Sequence, residues 1–130
     1  MLRSHNRPCQ DCWQWQNLMI RCALRPEEPR LIEHFLNLGV RLVEHGQISP
    51  WHMACTSLNL LINTACDPVL PWHWRNLCLD YAWRPLHVMQ QLATDAAQQR
   101  SFSVARNRLA TLQLQPSLSP SAFAEGNPYE

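Results

Sequence analysis

The chain has 130 residues, 46% of them apolar and only 16% charged, with a formal net charge of +1 and a pI near 7.7. That length suits one domain with a single core, and the near-neutral balance excludes the strongly basic footprint of a generic phosphate binder. Sparse charge leaves much of the surface neutral or apolar, which points to a protein partner, a larger complex or self-association.

Residues 1–11 are polar and read as a loosely ordered N-terminus that leads to no apolar stretch, so a secretory signal is not expected. No run of about 18 apolar residues occurs, and a membrane span is not expected either. The chain therefore reads as cytoplasmic, with its six cysteines as thiols; in an oxidising compartment an even six would form bridges instead. Within this N-terminus His5, Cys9 and Cys12 make half of a zinc motif, because two thiolates in a Cys-x2-Cys spacing can pinch one tetrahedral ion and an imidazole can add a third ligand. A fourth ligand is missing. Cys22, His34 or a partner would have to supply it, and the competing reading places Cys12 on a helix face with Cys9 and His5 simply exposed.

Asp11 is a suitable cap for a first helix over 12–24, with Trp15, Leu18, Met19 and Cys22 as its apolar face. Trp13 and Trp15 stand two apart and cannot share that face. Pro26-Glu27-Glu28-Pro29 interrupts the pattern, and a second helix starts near Pro26 or Pro29 with the two acids at its positive end. It carries Leu31, Ile32, Phe35, Leu36, Leu38, Leu42 and Val43 and stops at Gly46. Gly39 inside it costs about 1 kcal/mol relative to Ala, which a close helix crossing would explain.

Ser49 and Pro50 open a third helix over 49–66, which reads as the central buried element through Trp51, Ala54, Cys55, Leu58, Leu61, Ile62, Ala65 and Cys66. A fourth helix over 72–83 aligns Trp74, Leu77, Cys78 and Tyr81, and Arg84-Pro85 divides it from the next helical segment. Leu86, Met89, Leu92, Ala93 and Ala96 continue a helical face that Phe102, Ala105, Leu109 and Leu112 resume, as one long helix or two shorter ones. Residues 116–130 change to Pro, Ser, Ala and Gly and read as a flexible tail in which Phe123 and Tyr129 are the aromatic residues. With strand signals poor throughout, the expectation is an all-α single domain over 1–115, about five helices in a bundle or a helical-repeat-like stack.

Catalytic sets are hard to find. His52 and Cys55 stand three apart on one helix without a third orienting group, the carboxylates are scattered over separate helices, and no Gly-rich phosphate loop occurs. The stretch of most functional character is 70–85, where Trp72, Trp74, Tyr81 and Trp83 mix with His73, Arg75 and Arg84. Trp, Tyr and Arg are the residues most enriched at binding hot spots. Trp74 belongs to the core side, which leaves Trp72, Arg75, Trp83 and Arg84 as the expected partner-binding surface. The resulting expectation is a non-enzymatic interaction module, an adaptor, chaperone-like subunit or regulator, that needs no cofactor. The alternative is a small nucleic-acid-associated regulator with a zinc-stabilised N-terminus, in which Arg and aromatic side chains stack on single-stranded bases.

Overall fold

The structure, a computed structural model, describes residues 7–118. Five helices succeed one another: α1 (Gln10–Arg21), α2 (Arg30–Glu44), α3 (Pro50–Ala65), α4 (Trp72–Leu92) and α5 (Ala96–Thr111). The fold is all-α, and no strand occurs among the described residues. His5 as a zinc ligand and 119–130 as tail lie outside these residues.

Local chemistry sets the helix ends. Ser49 Oγ accepts from the His52 N–H at 3.0 Å, Asp95 Oδ1 accepts from the Gln98 N–H at 2.7 Å, and Pro50 occupies the first turn of α3. α1 and α2 close in the same way, with the chain turning through a left-handed residue: Leu24 N–H reaches Met19 O at 3.0 Å past Ala23, and Gln47 N–H reaches Leu42 O at 2.9 Å past Gly46. Glycine bears that conformation without penalty. Gly46 is the residue the motif prefers, whereas Ala23 holds φ 50° with a Cβ present.

α3 is the centre, as expected. It packs most extensively on α4 and also meets α1 and α2. Met53, Ala54, Ser57, Leu58, Leu60, Leu61, Ile62, Thr64 and Ala65 are all buried, so three sides of the helix face protein. The two polar members of that set stay satisfied locally, Thr64 Oγ1 donating to Leu60 O at 2.7 Å and Ser57 Oγ to Met53 Sδ at 3.9 Å. Cys66, expected on the buried face, is the exposed C-cap, because the helix ends just before it.

Gly39 marks a close crossing. A Cβ there would stand 3.0 Å from Met53 Cγ and 3.1 Å from Trp13 Nε1. Met53 can swing, but Trp13 is held by its N–H to Phe35 O at 3.1 Å and by a stack on the Phe35 ring at 5.0 Å. Gly39→Ala is therefore expected to lose about 1–2 kcal/mol of stability in a thermal-unfolding comparison, despite alanine's helix propensity. A more stable variant would mean that Trp13 yields.

Two expected elements need correction. The buried face of α1 is Trp13 and Ile20, while Trp15 and Leu18 lie half in water; the indole that finds both a ring partner and a carbonyl wins the core. The N-cap of that helix is Cys9, whose Sγ accepts from the Cys12 N–H at 3.2 Å, with Asp11 in the first turn. In addition, Pro85 does not divide the fourth helix. α4 runs through it, since Ala82, Pro85, Leu86 and Met89 form one buried line against the core and that packing outweighs a single missing backbone hydrogen bond.

The chain beyond α5 returns to the start of α4. Leu118 N–H donates to Pro68 O at 2.8 Å, and Ser117 Oγ donates to Leu70 O at 2.7 Å. Residues 116–118, expected to begin a loose tail, are thus strapped to the connection between α3 and α4.

Candidate interaction surface

α4 presents two large aromatic side chains to solvent. Trp72 is 47% and Trp83 49% exposed, and eleven residues make three turns, so both lie on one stripe about 16 Å apart along the axis. The two rings differ in their surroundings. The Arg75 guanidinium sits over Trp72 at 5.2 Å from the ring centroid, and Trp83 borders a recess of about 320 Å³ with Leu86, His87, Gln90, Phe102 and Arg106. Arg106 in turn lies over Phe102 at 5.6 Å. Phe102 and Arg106 have no place in the surface expected from sequence, because the apolar pattern does not separate their helix from the end of α4 and leaves its facing direction undefined.

Arg75, expected on this surface, is instead fully buried. Its Nε donates to Ala65 O at 2.9 Å and one terminal nitrogen donates to Ser117 Oγ at 2.9 Å. It supports Trp72 from behind. The reason lies in helix geometry: Arg75 comes one residue after Trp74, and the loop before α4 and the strap after α5 close over its side.

Arg84 is half-exposed but engaged. It pairs with Glu33 at 3.1 Å and lies over Tyr81, whose hydroxyl donates to the other Glu33 oxygen at 3.0 Å. That hydroxyl first, and then Arg84, hold the Glu33 carboxyl below the usual range. The cluster ties α2 to α4 and leaves Arg84 only partly free for a partner.

The remaining reactive groups make no assembled centre among the described residues. Burial pushes the Cys55 thiol up and the Cys78 thiol up to about 12, the opposite of the shift that prepares a nucleophile. Cys9 is lowered and Cys12 raised by the hydrogen bond between their side chains. Among the described residues no three His, Cys, Asp or Glu side chains come together as a metal site. Nor is any helix there long and apolar enough to cross a membrane.

No protein-family model, no curated protein and no solved structure matches the chain.

Proposed function

We propose that this chain is a non-enzymatic protein-interaction module, an adaptor, chaperone-like subunit or regulator, that engages its partner through the outer stripe of α4. The observation that carries this reading is the pair of half-exposed tryptophans on one helix stripe, Trp72 under the Arg75 guanidinium and Trp83 at the rim of a recess. Exposed indoles cost solubility, and a ring already held in place, as Trp72 is by Arg75, loses little freedom on binding. Both properties suit an anchor.

The test is a nuclease-treated pull-down from the native host with wild type, Trp83→Ala and the Trp72→Ala/Trp83→Ala pair, quantified by mass spectrometry. Trp83 is the cleaner probe because it leaves the Arg75 contact untouched. A protein captured by wild type should fall about tenfold or more with the pair, as hot-spot truncations do. Equal capture by a double variant of unchanged helical content would sink the assignment. Capture that nuclease treatment removes entirely would return the reading to nucleic acid, for which Arg100, Arg106 and Arg108 on α5 would be the contacts.

A further inference from the structure

α5 rests mainly on α4, and its other flank stands across an open groove from α3, a space of about 640 Å³. The α5 wall is a single stripe: Ala97, Arg100, Ser101, Val104, Ala105 and Arg108 recur at three- and four-residue steps over about 16 Å. Leu58 and Ile62 face it from α3, with Met89 of α4. Val104 is 68% exposed, which is costly for a branched apolar side chain that nothing covers.

The charge of these walls has one sign. α3 contains no Asp, Glu or Arg, and α5 contains Arg100, Arg106 and Arg108 without an acidic residue. Asp95, just before α5, is spent on capping the Gln98 N–H. Arg108 reaches Asn63 at 3.4 Å on the α3 side, and Arg100 has no partner among the described residues.

We propose that this groove docks an amphipathic helix of a partner protein whose apolar stripe is flanked by acidic side chains. The apolar residues would fill the trough between Leu58, Ile62 and Val104, and the carboxylates would meet Arg100 and Arg108. A groove of this kind reads helices through anchors at i, i+3, i+4 and i+7, and its three turns of length match such a segment. Nucleic acid fits less well, because the lining holds no aromatic ring on which a base could stack. The site is separate from the tryptophan stripe of α4.

The probe is a labelled helical peptide of about four turns with leucine at those anchor positions and glutamate on both flanks, titrated into the full chain by fluorescence anisotropy. Its partner control carries lysine in place of each glutamate. The acidic peptide should bind about tenfold or more tightly than the basic one, with affinity falling as salt rises. Arg100→Glu and Arg108→Glu should each weaken it severalfold, Val104→Glu should abolish it, and Trp15→Ala on α1 should leave it unchanged. Equal binding of the two peptides, no binding, or loss with Trp15→Ala would overturn the proposal. So would a dimer in sedimentation that Val104→Glu dissociates, which would give the groove to a second copy, or displacement of the peptide by a single-stranded oligonucleotide.

Discussion

Replacing Trp74 by alanine is expected to lower the unfolding free energy by about 3–5 kcal/mol. Trp74 is fully buried, and its indole N–H donates to Ile20 O at 3.0 Å. That bond joins the first turn of α4 to the last turn of α1. Two neighbouring contacts tie the flanking loops, His73 Nε2 of α4 at 3.0 Å from Pro26 O in the α1–α2 connection and Arg21 of α1 paired at 2.8 Å with Asp67 in the α3–α4 connection. Both lie nearer the surface and add little alone. Removing the ring therefore opens a cavity where α4 is pinned to the end of α1. Trp74→Phe separates the two contributions: most of the packing is kept and the hydrogen bond is lost, so a cost of about 1–2 kcal/mol is expected. Urea unfolding followed by circular dichroism measures both. A loss below about 1 kcal/mol for alanine, with an unchanged denaturant slope, would show that the corner is not a keystone of the core.

The helix ends and crossings divide into those the sequence discloses and those it does not. Helix starts at Ser49 and stops at Gly46 come from side chains acting on the backbone a few residues away, so the letters suffice. The crossing at Gly39 is also legible, because an unfavourable residue kept in a strong helix implies a neighbour that needs the space. α1 is misleading for the opposite reason. Trp15, Leu18 and Met19 make as good a stripe as Trp13 and Ile20, and only Phe35, 22 positions on, decides between them. Pro85 misleads because its local penalty is visible in the letters and the buried line that offsets it is not. The groove beside α5 is invisible in sequence, since α5 has weak amphipathicity and its start merges with the end of α4.

Arg75 carries the second large prediction, and it turns on the difference between losing volume and losing charge. The guanidinium is fully buried, makes two hydrogen bonds, and leaves its second terminal nitrogen without a partner. No carboxylate pairs with it among the described residues, although Asp67 is close enough to be lowered slightly by its charge after the larger effect of Arg21. A buried cation so incompletely met is expensive, and a flexible apolar side chain of similar length does not incur that cost. Arg75→Met should therefore stay within about 1 kcal/mol of wild type or exceed it. Arg75→Ala should lose about 2–4 kcal/mol, because it leaves a hole behind Trp72 and between α4 and the strap at 116–118. Hydrogen exchange at the Leu118 amide adds a local readout: its bond to Pro68 O should open in the alanine variant before the helices do. If methionine proves as damaging as alanine, the polar contacts to Ala65 and Ser117 hold the corner. If methionine is tolerated while capture of a partner through Trp72 falls, the stacked guanidinium is what keeps that ring in its binding position.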